Sequence, residues 1–163
     1  MKNTVDYSIN KAANEWGYRR IVSEEDADIP QISKIFQHPM VSQYLSIGDN
    51  YFHYVTNTEN VFFYKVYQKE KLIGTVHIEK NDDLLYMDIL IFPEFQRMGY
   101  ATRVIKDVQK DIFGLNYNRI EISIDERNIA SLRLFENAGF LFVSKEDELL
   151  NYVYKRRYKN LDL

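Results

Sequence analysis

The residues best suited to chemistry lie where an apolar strand leads into a helix. The apolar run at residues 89–91 is followed by the pattern Gln96-x-x-Gly99-x-Ala101, and a helical period begins there. The first N–H groups of a helix have no internal acceptor, and the helix dipole is positive at this end. Gly99 lets the backbone approach a ligand closely. The pattern predicts an anion site suited to a diphosphate, although a tight strand-to-helix turn alone also favours glycine. Two nearby cations are Arg97 and Arg103.

A second informative segment lies further along the chain. Asn128 is placed to cap a helix, and the sequence Ala-Gly139-Phe140 ends it. The predicted buried face of this helix consists of Ile129, Leu132, Phe135 and Ala138. The order strand, Asn, helix, Ala-Gly-Phe, strand therefore follows the glycine-containing turn.

Together the two segments resemble the hallmark motifs of the GNAT superfamily of acyl-CoA-dependent N-acetyltransferases. The motifs are residues 96–101, Gln-Arg-Met-Gly-Tyr-Ala, and residues 128–140, and the likeness extends over most of the chain. Other positions resemble the branch that contains ribosomal-protein N-terminal acetyltransferases, namely Arg19, Asp26, His38-Pro39-Met40-Val41 and Tyr44-Leu45. The resemblance implies transfer of acetyl from acetyl-CoA to a primary amine of a small molecule or a protein N-terminus, by direct attack in a ternary complex.

The resemblance also implies how the cosubstrate is bound. A strand backbone would pair with the pantetheine arm, the amides of the glycine-containing turn would hold the pyrophosphate, and Asn128 would hydrogen-bond the pantetheine. Ser131 and Phe135 would line the channel near the thioester, which lies where two central parallel strands diverge. The residues so assigned are Ile89, Leu90, Ile91, Gln96, Arg97, Met98, Gly99, Tyr100, Ala101, Thr102, Asn128, Ser131 and Phe135.

Several side chains are candidates for a general base. Asp88, on the strand that approaches the thioester, is the first choice. Glu121, Ser123 and Asp125 share one face of the next strand, and Glu121 and Ser123 are candidates either as base or for positioning water. His77 ranks lower. Any single one of them is also compatible with an ordinary solvated strand position.

Two further roles concern the oxyanion and the leaving thiolate. A backbone N–H, that of Leu90 or Ile91, is the candidate oxyanion donor. Many relatives carry a Tyr that protonates the thiolate where this chain has Phe135, which has no hydroxyl. The hydroxyls that remain are those of Tyr86, Ser131, Tyr152 and Tyr154. Alternatively no acid is needed, because a thiol with a pKa near ~8.5 leaves readily at neutral pH.

Hydrophobic periodicity predicts the elements that position these residues. In the first half we expect a strand at residues 18–22, a helix capped by Asp28 and stopped by Pro39, and a short helix capped by Asn50. An antiparallel meander is expected at residues 61–67, 72–79 and 84–91. In the second half the pattern predicts a helix over 101–112 with Gly114 after it, a strand at 120–124, and a closing hairpin at 141–144 and 149–157. The fold class is α/β (α+β): a mixed, mostly antiparallel, twisted central sheet with helices on both faces, like the GNAT acyltransferase fold.

Composition limits the other possibilities. The 163 residues fit one domain at 18–163 after a polar tail at 1–17, and the absence of Cys with three scattered His makes a metal site improbable. No stretch resembles a membrane span or a signal peptide, so a soluble cytoplasmic protein is expected. The formal net charge of −3 disfavours nucleic-acid binding. A homodimer is a state common in relatives.

Two alternative functions remain open. The first is a degenerate acyltransferase that senses CoA without turnover, which the missing Tyr hydroxyl at position 135 keeps in consideration. The second is an RNA- or ribosome-associated protein that uses the C-terminal basic cluster Lys155, Arg156, Arg157 and Lys159.

Overall fold

The computed structural model describes residues 15–157 in full and residues 6–9 by their backbone. The strands within these ranges are β1 (Asp6–Ile9), β2 (Trp16–Arg20), β3 (Val61–Gln68), β4 (Lys71–Asn81), β5 (Leu84–Ile91), β6 (Arg119–Asp125), β7 (Leu141–Glu146) and β8 (Leu149–Lys155). The helices are α1 (Ile29–Phe36), α2 (Pro39–Ser42), α3 (Tyr51–Asn57), α4 (Tyr100–Gln109) and α5 (Ile129–Asn137). A short 3₁₀ turn covers Pro93–Phe95.

The strands form one mixed sheet in the order β1-β2-β3-β4-β5-β6-β8-β7. Neighbouring strands are antiparallel except β5 and β6, which are parallel and are joined through α4. This arrangement confirms the predicted mixed, mostly antiparallel sheet. This parallel pair lies in the interior of the sheet.

Tight polar turns determine the meander of β3, β4 and β5. Lys69 and Glu70 both have positive φ, 48° and 62°, between β3 and β4, and Asp82 has φ 53° before β5. Positive φ at both central residues matches the twist of a two-residue hairpin. The predicted antiparallel meander is therefore confirmed, with β4 longer than expected.

The first strand of the main domain begins earlier than the sequence pattern indicated. The prediction was residues 18–22, whereas β2 starts at Trp16, whose side chain is buried and whose backbone pairs with Gln68. β1 lies inside the segment 1–17 that we expected to be a tail, and it pairs with β2. Residues 1–5 and 10–14 of that segment lie outside the described residues.

Apolar side chains form a core on each face of the sheet. Successive residues of β3 alternate, so that Phe63 packs with α1 and α3 while Tyr64 packs on the opposite face with α4. Ile32 and Phe36 of α1 are buried in the first core, and Val104 and Ile105 of α4 in the second. Helices therefore cover both faces, as predicted.

A buried carboxylate anchors α4 to β2, the strand next to the sheet edge. Asp107 accepts hydrogen bonds from Trp16 Nε1 at 3.1 Å and from Tyr18 Oη at 2.6 Å. Arg103 Nε lies 3.4 Å from the same carboxylate. The network fixes the direction in which α4 leaves the glycine-containing turn.

An ion pair with the buried Lys65 corrects the expected role of Asp28, which is half-buried. Asp28 occupies the N-cap position of α1, but its side chain makes no capping hydrogen bond. It accepts instead from Lys65 Nζ at 2.8 Å and Tyr67 Oη at 3.1 Å, and Asp26 accepts from the same Lys65. The hydrogen bonds from Lys65 hold the pKa of Asp28 below its usual range. Asn50 likewise precedes α3 without a side-chain cap.

The helices of the second half differ from the predictions only at their margins. α4 ends at Gln109, short of residue 112, and Gly114 follows with φ 65°. Asn128 caps α5 as predicted, because its side chain accepts from the Ser131 N–H at 3.2 Å. Ile129, expected on the buried face of α5, is 52% exposed.

Part of the C-terminal basic cluster is engaged within the protein. The Arg156 guanidinium lies 5.0 Å from the ring centroid of Tyr117, and its Nη1 is 3.4 Å from Asp111. Lys159 lies outside the described residues.

Candidate functional site

The two central parallel strands separate partway along their length. β5 and β6 pair only from Leu84 opposite Arg119 to Tyr86 opposite Glu121. Beyond that point β5 continues to pair with β4, and β6 with β8, so the two strands are held by their outer neighbours. A gap therefore opens between residues 87–91 and 122–125, as the resemblance implied.

The turn before α4 exposes a run of backbone N–H groups at one end of this gap. Gly99 has φ 80° and Arg97 has φ 63°, and the helix has no side-chain cap. Within the described residues, no backbone N–H from Arg97 to Thr102 donates to a protein acceptor. A Cβ added at Gly99 would meet nothing within 4 Å. The amides therefore face open space, where an anion can reach them.

These features border a cavity of about 770 Å³, which we call the Gly99 cleft. Its lining includes Ile89, Leu90, Ile91, Gln96, Arg97, Gly99, Tyr100, Ala101, Thr102, Asn128, Ser131 and Phe135. Met98, also predicted to bind the cosubstrate, is 60% exposed and is not part of this lining. The structure thus brings the two sequence segments together around one cleft.

The direction of the β5 backbone distinguishes between the predicted contacts. A Cβ on Gly74 would lie 2.4 Å from the Leu90 carbonyl oxygen, so that carbonyl is directed at β4. The N–H and C=O of one strand residue point to the same edge of the strand, and adjacent residues point to opposite edges. The N–H and C=O groups of Ile89 and Ile91 therefore face the gap. The Ile91 carbonyl accepts a hydrogen bond from Gln96 Nε2 at 3.1 Å. Gln96 therefore fastens the turn to the end of β5.

Two residues for which no role in the site was predicted approach each other beside the cleft. Tyr44 Oη lies 3.5 Å from the Arg127 carbonyl oxygen, and the Arg127 guanidinium is 5.8 Å from the Tyr44 ring centroid. Both residues line the Gly99 cleft. They are 83 positions apart, and no spacing in the sequence indicates their contact.

Asp88 lies where the Gly99 cleft meets a second cavity. This second cavity, of about 640 Å³, is called the His77 cavity, and it shares Met87, Asp88, Ile122 and Ser123 with the cleft. The Asp88 side chain is exposed towards the two cavities. The protein walls around it still raise the pKa of its carboxyl by desolvation, the negative charge of Glu79 adds to the rise, and His77 opposes it. A raised pKa makes the carboxylate a stronger base than an ordinary Asp.

His77, the lower-ranked base, has both ring nitrogens engaged. Nδ1 is 2.5 Å from Tyr51 Oη, and Nε2 is 3.0 Å from Glu79 Oε1. The ring stacks on Tyr51 with a centroid distance of 5.6 Å. Tyr54 Oη also donates to Glu79, at 2.7 Å. His77 therefore connects α3 to β4, and its partners leave neither nitrogen directed at a substrate.

The three polar residues of β6 have different surroundings. Ser123 Oγ donates to Asn151 Oδ1 at 2.6 Å, and Glu121 lies 3.7 Å from Arg119 Nε. Asp125 accepts from the backbone and the guanidinium of Arg127, whose side-chain hydrogen bonds lower the pKa of Asp125 to about 2. Asp125 is therefore a poor base, whereas Glu121 and Ser123 face the His77 cavity.

Phe135 is buried and packs edge-on against Phe140, with ring centroids 5.1 Å apart. Of the alternative hydroxyls, that of Tyr152 donates to Glu136 at 2.8 Å, which raises the pKa of Tyr152. Ser131 lines the Gly99 cleft, and Tyr86 lines the His77 cavity. Tyr154 packs near Phe140 and lines neither cavity.

Two negative findings concern the described residues. No group of three or more His, Asp or Glu side chains among residues 15–157 is arranged to hold a metal ion. In the same part of the chain, no helix has the length and apolar character needed to cross a membrane.

Comparison with protein families places this geometry among known proteins. The model of the acetyltransferase (GNAT) family matches residues 27–140. This range includes the β5–β6 gap and the first turns of α4 and α5. A comparison with curated proteins found no match.

Solved structures share the fold at low sequence identity. A domain from Methanocaldococcus jannaschii has a TM-score of 0.75 at 20% identity, with 87% of this chain and 99% of that chain covered. Campylobacter jejuni N-acetyltransferase PseH, in complex with acetyl coenzyme A, has a TM-score of 0.71 at 13% identity, with the same coverage of 87% and 99%. The ribosomal-protein-S18-alanine N-acetyltransferase from Escherichia coli has a TM-score of 0.70 at 15% identity, covering 91% of this chain and 98% of that chain.

Proposed function

The chain belongs to the acetyltransferase (GNAT) family, and from this premise we propose that it transfers an acetyl group from acetyl-CoA to a primary amine. The observation that carries the proposal is the turn at Gly99, whose unpaired amides lie beside the gap between β5 and β6. Acetyl-CoA supplies an activated acetyl thioester. The protein's own groups bind it, accept the proton of the amine and stabilise the oxyanion.

The Gly99 cleft fits this cosubstrate. The free N–H groups from Arg97 to Thr102 are suited to the diphosphate, because amide donors and the helix dipole both favour negative charge. The gap-facing peptides of Ile89 and Ile91 are placed to pair with the pantetheine amides. Asn128 uses its Oδ1 to cap α5, which leaves its Nδ2 free to donate to a pantetheine carbonyl. The C. jejuni structure with acetyl coenzyme A supports the assignment by its shared fold.

Asp88 is the proposed general base. An alkyl amine has a pKa near ~10.4, so forming the neutral amine at pH 7 costs about 4–5 kcal/mol. A carboxylate with a raised pKa at the junction of the two cavities is suited to take that proton. Glu121 and Ser123 line the His77 cavity beside Asp88 and are proposed to position water. A peptide α-amine, with a pKa near ~8, needs less assistance.

The tetrahedral oxyanion requires a fixed donor directed into the gap. The C=O of Leu90, and with it the N–H of the same residue, is directed at β4. The oxyanion donor is therefore the N–H of Ile89 or Ile91 rather than that of Leu90. For the leaving thiolate, Ser131 is the one of the predicted candidate hydroxyls that lines the Gly99 cleft. Protonation by solvent is also sufficient, because the thiol pKa is about 8.5.

Two measurements test the proposal. Acetyl-CoA at 100 times its dissociation constant adds about 2.7 kcal/mol to the free energy of unfolding, which corresponds to roughly 5–10 °C in Tm for a chain of this length. Thiol release from acetyl-CoA in the presence of an amine panel then reports turnover. The absence of a Tm shift contradicts the proposal. A shift without thiol release for any amine indicates a CoA-binding sensor instead, the alternative that Phe135 keeps open.

A further inference from the structure

The His77 cavity begins at the part of the Gly99 cleft that contains Asp88. It continues across the faces of β4, β8 and β7. Its lining comes from β4, β5, β6, β7 and β8, and it joins the cleft at Asp88 and Ser123. An acceptor that reaches Asp88 from the side opposite to acetyl-CoA therefore occupies this cavity. The following inference rests on the proposed function, because it concerns the amine that this reaction consumes.

The floor of the cavity is neutral and internally hydrogen-bonded. Ser123 Oγ donates to Asn151 Oδ1 at 2.6 Å, and Asn151 Nδ2 donates to Ser144 Oγ at 3.1 Å. The three residues are direct cross-strand neighbours in β6, β8 and β7. They form a polar track that leads from Asp88 towards β7.

The acidic and basic side chains that line the cavity are four carboxylates and the imidazole of His77. The carboxylates are Glu79, Asp88, Glu121 and Glu146, and the lining contains no Lys or Arg. Glu79 is held by Tyr54 and His77, and Glu121 lies near Arg119. Among the described residues, Asp88 and Glu146 have no hydrogen-bond or ion-pair partner.

We propose that the His77 cavity is the acceptor site and that it selects an extended alkyl amine with a second positive charge, which Glu146 binds at the end remote from Asp88. The reacting amine lies at Asp88, next to the thioester. The second ammonium compensates the carboxylate charge at the far end. An acceptor with a carboxylate in that position meets repulsion from Glu146 and Glu121.

The sheet order sets the length of the acceptor. Asp88 is on β5 and Glu146 on β7, which are three strands apart in the order β5-β6-β8-β7. At about 4.8 Å per paired neighbour, three steps give roughly 14 Å between the two backbones. The gap between β5 and β6 at Asp88 adds to this distance. The preference for a second charge is therefore expected to grow with chain length in a series of linear diamines.

The test compares linear diamines with amino alcohols of the same length, and with amino acids that carry a terminal carboxylate instead. We expect kcat/KM for the best diamine to exceed that of its amino alcohol by about tenfold or more, well above the twofold gained from having two equivalent amines. The amino carboxylate is expected to be the poorest substrate of the three. Added salt is expected to reduce the diamine preference, because it screens the charges.

Two variants at Glu146 locate the effect, with Glu148 as the matched control. Glu146→Gln is expected to lower the ratio of diamine to amino alcohol by roughly fivefold, and Glu146→Lys to invert the order in favour of the amino carboxylate. Glu148→Gln removes an exposed carboxylate two residues away, outside the cavity, and is expected to leave the ratio unchanged. Tm with and without acetyl-CoA verifies that each variant is folded and binds the cosubstrate.

The outcomes separate this inference from the proposed function. Equal rates for diamines and amino alcohols, a ratio unaffected by either Glu146 variant, or a preference for basic peptides over every diamine overturns the inference and leaves the acetyltransferase proposal intact. Acetyl-CoA binding without acetylation of any diamine also overturns it. Failure to bind acetyl-CoA at all overturns both.

Discussion

Replacing Gly99 with alanine separates the conformational cost of its turn from its proposed role in binding acetyl-CoA. Gly99 has φ 80°, so Gly99→Ala places a Cβ-bearing residue in the left-handed region. That costs about 1–2 kcal/mol, or roughly 2–8 °C in Tm for a chain of this length. Gly114→Ala is the matched control, because Gly114 has φ 65°, equally open space around its Cβ position and no place in either cavity.

The two variants are expected to be equally destabilised and to differ in affinity. In Gly99→Ala we expect the new methyl group to project into the space proposed for the diphosphate, so that at least one hydrogen bond from an amide to the charged phosphate is lost. Such a bond is worth about 1.5–3 kcal/mol, or roughly a 10- to 150-fold rise in the Kd for acetyl-CoA. Isothermal titration calorimetry measures Kd, and urea unfolding measures stability. If both variants bind acetyl-CoA with the same Kd, the reasoning about Gly99 is wrong.

The remaining predictions concern the base, a buried anchor and a helix cap. Asp88→Asn is expected to lower kcat/KM for an alkyl amine by about 10²–10⁴-fold, and a loss below tenfold in steady-state assays argues for another base. Asp88 acts as a base only when it is ionised, so the acidic limb of the pH–kcat/KM profile is expected above the ordinary pKa range of Asp. Glu79→Gln removes a negative charge that raises the pKa of Asp88, so this limb is expected to move to lower pH. A limb that does not move would refute the coupling between the two carboxyls. Asp107→Ala leaves the Trp16 and Tyr18 donors without acceptors, at about 1–3 kcal/mol each, so urea unfolding is expected to show roughly 2–6 kcal/mol of lost stability; a change below 1 kcal/mol would contradict this. Asn128→Asp retains the acceptor that caps α5 but lacks the Nδ2 donor, so KM for acetyl-CoA is expected to rise while Tm is maintained, and a parallel loss of Tm would indicate a cap role only.

Local sequence patterns were sufficient to predict the parts of the fold and site that depend on nearby residues. The meander follows from β-branched and aromatic strands joined by two short polar turns. The start of α4 follows from Gly99 and the periodicity after it, and the Asn128 cap follows from one side chain and an amide three residues later. Each of these depends on contacts within a few positions, where the physical causes are visible in the sequence.

Features that depend on distant partners were not predictable in the same way. Asp28 is a good N-cap by type, yet its carboxylate is held by Lys65, which lies 37 positions away. The contact of Tyr44 with Arg127 also joins residues far apart in sequence. These interactions depend on which strands become neighbours, and no local pattern specifies that.

The orientation of single peptides was also beyond sequence reasoning. Leu90 was the first candidate for the oxyanion donor and Ile91 the second, and both lie on the same apolar strand. The close approach of the Leu90 carbonyl to Gly74 directs that peptide at β4. Successive residues of a strand direct their N–H and C=O groups to alternate edges. To decide which of two adjacent residues supplies the oxyanion donor, the register of the strand pairing must therefore be known.

The most direct test of the account is backbone amide NMR during titration with acetyl-CoA. We expect the largest shifts, and new protection from hydrogen exchange, at the amides of residues 97–102 and of Ile89 and Ile91, with Gly114 unaffected. Shifts centred anywhere else, with the amides around Gly99 unchanged at saturation, would contradict the claim that this turn and the adjacent gap hold the cosubstrate.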